Sequence, residues 1–312
     1  SCRNSFSGKS MGAFLNSARS GYLACIMVVF IWAFWLVVSR LGVTSNLTIY
    51  DLAAMRYGIS ALVALPFVVY FKAWKTLPPS RSVILTILLG PLYILTVFSG
   101  FVYAPAAHGG VFMNGPVPIM TLFLGAFLLK TAIETRKLAG AILIIISSAV
   151  LGFGASDFML AQSWIGDLCF IFGGLCFAIF VTLSRLWKIN TLDIFFCGSV
   201  VNAAIYVPIW YFLLPSGFAM TEPSTVIFQS IYQGFLPNLI GLVFIAHASK
   251  TAGADVTAAF MAVVPGFGAL LGVILLSEQM PLTSWGAIVV LTIGLLLMAI
   301  KLPSTFSFHQ QS

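Results

Sequence analysis

Ser39-Arg40-Leu41 closes one apolar run of this chain, and Ser184-Arg185-Leu186 closes another, 145 residues further on (39 to 184). The landmarks that follow keep that interval. Asp51 and Pro66 recur as Asp193 and Pro208, both 142 on; Pro118 recurs as Pro265, offset 147; Gly140 recurs as Gly286, offset 146. A near-constant offset over five landmarks describes two copies of one unit of roughly 145 residues. Membrane proteins built from such repeats bind their cargo between the copies.

The composition places both copies in a bilayer. Apolar residues make up 60% of the 312, charged residues 7%, and the mean hydropathy is +1.07. A soluble domain carries about 25% charged residues. A hydrocarbon core about 30 Å thick needs about 20 apolar residues per helix. Ten such runs are present, at 21–38, 50–71, 83–103, 107–129, 136–154, 165–184, 193–214, 226–247, 255–276 and 283–300. None alternates with period two as a barrel strand does. The expected fold class is an all-α membrane protein of ten transmembrane helices, arranged as five-helix repeats at 21–154 and 164–300. Polar tails at 1–20 and 303–312 flank them.

The net charge of +7 is a topology signal and not a nucleic-acid surface. Numbering the runs assigns Arg3, Lys9, Arg19, Lys72, Lys75, Arg81, Lys130, Arg136, Lys137, Arg185, Lys188, Lys250 and Lys301 to the side of both termini. The other side receives Arg40 alone, and Arg56 lies within a run. Thirteen against one predicts cytoplasmic termini by the positive-inside rule. With five helices per copy, the second copy enters from the opposite face, so the repeats are inverted. No cleavage signal precedes Tyr22, and the first helix reads as an uncleaved anchor. Cys2, Cys25, Cys169, Cys176 and Cys197 lack metal-type spacing. Neither a nucleotide-binding loop nor a nucleophile elbow is present, so neither cofactor, metal nor catalysis is expected.

Each half resembles the EamA domain of the drug/metabolite transporter superfamily. The resemblance rests on Val29-Phe30-Ile31-Trp32-Ala33-Phe34-Trp35 in the first helix and on Asp51-Leu52-Ala53-Ala54-Met55-Arg56-Tyr57 in the second. It also rests on Pro265 to Glu278, with Trp285-Gly286 and Gly294 beyond. Thr131 or Ala132 stands where the family has a glutamate after the fourth helix, and Gly198 stands near the second-half place of Arg56. The resemblance implies a 5+5 inverted fold that exports small metabolites, often amino acids.

Polar groups inside apolar helices cost free energy unless they face a cavity or a partner. Arg56 is the one charge well inside a run, roughly 8 Å from its outer end. A guanidinium there suits bidentate binding of a carboxylate; pairing with Asp51 or snorkelling is the structural alternative. Trp32, Tyr93, Asn114, Asn202, Tyr206, Gln233 and Asn238 complete the candidate substrate-binding set, as aromatic wall and amide contacts. Pro66, Pro118, Pro208 and Pro265 are candidate hinges, with Pro91 and Pro237 near breaks in the third helix and its counterpart. Acids fall at helix ends and not at depth, which favours a uniporter over a proton-driven carrier. The expected function is export of small amphipathic zwitterions such as amino acids, by alternating access across an inner (plasma) membrane, with the small molecule and the lipid bilayer as partners. Alternatives are another solute (nucleotide sugar, drug, lipid-linked headgroup) or a non-transporting sensor or assembly subunit.

Overall fold

Ten helices long and apolar enough to cross a membrane follow one another in the computed structural model: α1 (Ala18–Thr44), α2 (Ile49–Phe71), α3 (Pro79–Tyr103), α4 (Ala106–Leu128), α5 (Thr135–Phe153), α6 (Ser163–Leu186), α7 (Thr191–Leu213), α8 (Pro223–Thr251), α9 (Ala254–Leu276) and α10 (Leu282–Ala299). The structure describes residues 16–153 and 162–300, and all regular structure among them is helical. Arg3, Lys9, Asp157 and Lys301 lie outside the described residues.

The spans match the apolar runs to within about a turn, except at the end of α1. There the sequence puts Arg40 in a connector, whereas the helix continues to Thr44. The reason is local. The Arg40 guanidinium turns onto the carbonyls of Phe101 and Val102, the unpaired acceptors at the end of α3, where a cation also answers the helix dipole. α2 then restarts through a capping box, with the Thr48 hydroxyl accepting from Asp51 N–H and the Asp51 carboxylate accepting from Thr48 N–H.

Contacts between the halves come in exchanged pairs. α3 packs on α6 as α8 packs on α1, and α4 packs on α6 as α9 packs on α1, while α2–α7, α4–α9 and α5–α10 pair with their own counterparts. That pattern is a twofold relation between repeats of opposite orientation. α5 and α10 lie to one side, crossing closely where Gly140 and Gly294 meet: a Cβ on Gly140 would stand 2.6 Å from the Gly294 carbonyl. α1–α4 and α6–α9 form the body around the centre.

The two ends differ in charge. The junctions α2–α3, α4–α5, α6–α7 and α8–α9 form a basic end, where Lys72, Lys130 and Lys188 close helices in left-handed conformation. The junctions α1–α2, α3–α4, α7–α8 and α9–α10 form the opposite end, called here the latch end.

Four spans are interrupted, and they are symmetry mates. α3 breaks at Leu89–Gly90 before Pro91, and α8 passes through a π turn at Leu236–Ile240 around Pro237. α4 breaks at Gly115 before Pro116, and α9 at Ala262–Val263 before Pro265. This corrects the expectation that Pro66 and Pro208 mark breaks, because α2 and α7 run through both; Pro118 likewise sits inside the second segment of α4. A single proline removes one helical hydrogen bond, and a neighbouring glycine without Cβ lets the backbone leave the helix. Gly90 does so, in extended conformation. Gly115 keeps helical angles, and α8 and α9 are interrupted at Leu236-Pro237 and Val264-Pro265 without a preceding glycine. A Gly-Pro pair alone therefore does not separate the breaks from Pro66 and Pro208.

Candidate substrate site between the repeats

The breaks free carbonyls that need donors, and each break receives one donor from its own half and one from the other. With Gly90 N–H turned back on Ile87 O, Thr86 O accepts from Asn202 Nδ2 at 3.3 Å, and Leu89 O accepts from the Tyr57 hydroxyl at 2.9 Å. In α8, Trp32 Nε1 donates to Pro237 O at 3.3 Å and Asn238 Nδ2 to Gln233 O at 3.1 Å. Irregular backbone at membrane depth is tolerated where it is satisfied in this way or lines a cavity.

Between the broken α3 and the helices α2, α6, α7 and α8 lies a cavity of about 60 Å³. A water needs roughly 10–15 Å³ of such space, so the cavity in this conformer has room for a handful of waters and is too small for a metabolite unless the spans part. Arg56, Tyr57, Thr86, Tyr93, Asn202 and Asn238 supply its polar lining, and Phe177, Phe180 and Phe195 supply aromatic wall. Leu85, Phe180 and Ile194, all buried, form its apolar floor toward the basic end.

Arg56 is the centre of this arrangement. It lies seven residues into α2, about 10 Å from the helix start at 1.5 Å per residue. Its Nη1 is buried without a hydrogen-bond partner, and its guanidinium lies 5.7 Å from the centre of the Trp35 ring. The ionisable groups acting on it are the phenols of Tyr93 and Tyr57. Asp51 is committed elsewhere: its oxygens accept from Thr48 N–H at 2.9 Å, Trp210 Nε1 at 2.9 Å and Gly217 N–H at 2.8 Å. The carboxylate that the sequence offered as a partner therefore holds the latch end together. Opposite Arg56, 142 residues on, is Gly198, also in the lining. At this repeat position one half contributes a guanidinium and the other no side chain.

Four of the sequence candidates, Arg56, Tyr93, Asn202 and Asn238, line the cavity. The other four lie outside its lining. Tyr206 stacks edge-on to Tyr57 at 6.1 Å and donates to Tyr50 O. Gln233 is buried, accepting from Trp35 Nε1 at 2.9 Å and donating to Ser39 and Gln229. Trp32 packs on α8, and Asn114 sits at the break in α4. Sequence reading missed Tyr57, Thr86, Phe177, Gly198 and Ser199. Tyr57 and Gly198 carried a signal, the first as neighbour of Arg56 and the second as its repeat counterpart. It also missed a buried contact at the latch end, His108 Nδ1 to Asp167 Oδ1 at 2.7 Å, beside Glu278, which accepts from Ala106 N–H at 2.8 Å.

Two inverted five-helix repeats with broken spans around a central cavity define a membrane carrier, a multi-pass protein. The EamA-like transporter family model matches residues 19–153 and again 164–300, and the chain belongs to that family. A solved crystal structure shares the fold, with a TM-score of 0.63 and 17% identity over 90% of this chain and 96% of the other. Comparison with curated proteins finds no match.

Proposed function

We propose that this transporter exports small amphipathic metabolites bearing a carboxylate, amino acids among them, by alternating access. The carboxylate docks on Arg56 and the apolar body lies against Tyr93 and the phenylalanines of α6 and α7. The membrane is the cell's inner (plasma) membrane, with both termini cytoplasmic. Among the described residues, the basic end has Arg19, Lys72, Lys75, Arg81, Lys130, Arg136, Lys137, Arg185, Lys188 and Lys250 against Arg40 at the other. Cysteine labelling from outside the cell should accordingly reach positions 45 and 220 and spare 76 and 250.

The observation that carries the cargo reading is Arg56 itself, a guanidinium in the cavity whose nearby ionisable groups are phenols. A buried cation without a counter-ion is costly, and a bound carboxylate relieves that cost. Counterflow in proteoliposomes tests it. Arg56→Gln removes charge-assisted hydrogen bonds worth about 1.5–3 kcal/mol, so apparent affinity falls by roughly 10- to 150-fold. Arg56→Lys recovers part, since an ammonium lacks the planar fork. Unchanged affinity in a well-folded Arg56→Gln protein overturns the reading.

A further inference from the structure

Resting on that reading, we propose that the site selects its cargo by net charge: it takes the monovalent anion of a carboxylic acid with an apolar body in preference to a zwitterion, and transport is electrogenic. The cavity lining holds one ionised side chain, Arg56, and no Asp, Glu, His or Lys. The described acids near this region are engaged elsewhere, Asp51 by three N–H donors, Asp193 at the basic end by the Thr76 hydroxyl at 3.1 Å, and Asp167 by His108.

A monocarboxylate brings the charge of the loaded cavity to zero. A zwitterion pairs its carboxylate with Arg56 and leaves its ammonium as the uncompensated charge. That ammonium meets only neutral groups, such as the Asn202 and Asn238 amides and the rings of Tyr93 and Phe177. A dicarboxylate leaves the opposite excess. Like or unmatched charges in a desolvated site are strongly disfavoured.

The same accounting supplies a driving force. A carrier moving one negative charge outward per cycle is pulled by a cytoplasm-negative potential, by roughly 50-fold in concentration per 100 mV. Export then needs no titratable carboxylate in the cavity, and the described lining has none.

The test uses the full chain in proteoliposomes and matched probes: 3-phenylpropanoate, phenylalanine, phenethylamine and phenylsuccinate, with 4-methylpentanoate and leucine as a second body. Binding is read by competition and charge movement by currents on supported membranes, with valinomycin and potassium setting the potential. The monoanions should bind on the order of tenfold or more tighter than their zwitterionic partners, give a current, and accumulate on the positive side of an imposed potential. Arg56→Gln should erase both preference and current while its melting temperature holds. Arg56→Lys, which keeps the charge, should keep the order of preference at lower affinity, so a misfolded glutamine variant does not leave the rule untestable. Equal or tighter binding of phenylalanine and leucine, or transport of 3-phenylpropanoate indifferent to potential, overturns the charge rule and leaves the carboxylate site standing. Binding of none of the six probes to the wild type overturns both together.

Discussion

Asp51 and Asp193 occupy the same place in the two repeats, each in the first turn of its second helix, at opposite ends of the molecule. Asp51 is fully buried and accepts from three N–H groups, two of them (Trp210 and Gly217) from the other repeat. Around it Thr48 donates to Pro215 O and Asn46 to Met220 O, so the α1–α2 junction is laced to the α7–α8 junction. Asp193 keeps one cross-repeat contact, from the Thr76 hydroxyl, and remains partly exposed. The cavity is closed toward the basic end by Leu85, Phe180 and Ile194 instead. Apolar side chains slide past one another without stranding a donor, whereas the Asp51 lattice must give up charge-assisted hydrogen bonds to part. One inverted sequence thus yields two closures of different stiffness, and this conformer is held shut at the latch end.

The largest effect should come from removing the two carboxylates in turn. Asp51→Ala strands one buried donor, Gly217 N–H, at about 1–3 kcal/mol, and two part-buried ones, Thr48 N–H and Trp210 Nε1, at less each. Asp193→Ala loses one half-exposed bond, worth about 0.5–1.5 kcal/mol. Thermal melting in detergent should therefore drop by many degrees for the first and little for the second. Equal losses would break the comparison by showing that the basic end forms its own full latch in solution.

The comparison sharpens at Arg56 and Gly198, which share a repeat position but only one of which has a side chain. A Cβ on Gly198 would meet Thr86 at 3.4 Å and beyond, an ordinary contact. Gly198→Ala should fold and transport. Gly198→Leu fills part of the cavity that Arg56 also lines, and cargo binding should weaken on the order of tenfold or more in a protein that still melts normally. Wild-type affinity in Gly198→Leu would move the site away from this cavity.

How far the sequence foretold these features follows from their physics. The helices were legible because twenty apolar residues in a row have few other fates, and the duplication was legible because the landmarks repeat at one offset. Arg56 stood out because a charge inside such a run needs a reason. The breaks were half legible: proline marks candidates, but the spans are interrupted near Pro91, Pro116, Pro237 and Pro265 and run unbroken through Pro66 and Pro208. The fate of Asp51 was hidden, since its partners Trp210 and Gly217 lie 159 and 166 residues away and a capping aspartate reads the same whether or not it also crosses to another repeat. His108 and Asp167 were hidden for the same reason.

The smallest effect separates two glutamates at opposite ends. Glu134, exposed at the basic end, is held below the usual glutamate range by hydrogen bonds from Arg136 and Lys137. Its modest support is present above the ordinary glutamate pKa and is lost as pH falls through its lowered value; salt weakens it. Glu278, on the α9–α10 junction, is pushed above that range by burial, against the opposing pull of Ala106 N–H and Arg40. Here the folded protein binds the proton more tightly than the unfolded chain does, so stability falls as pH rises from the ordinary value through the raised one, and then levels. Each unit of elevation costs about 1.4 kcal/mol above that window, an upper bound because the carboxyl retains some solvent. Glu278→Gln keeps an acceptor for Ala106 N–H and removes the titration, so its melting temperature should lack the decline expected of the wild type from about pH 4.5 upward. The variant should overtake the wild type near neutrality. A wild type whose stability instead climbs over that range relative to Glu278→Gln would mean that Arg40 outweighs burial, and that the Glu278 contact to α4 is a charged brace of the latch end.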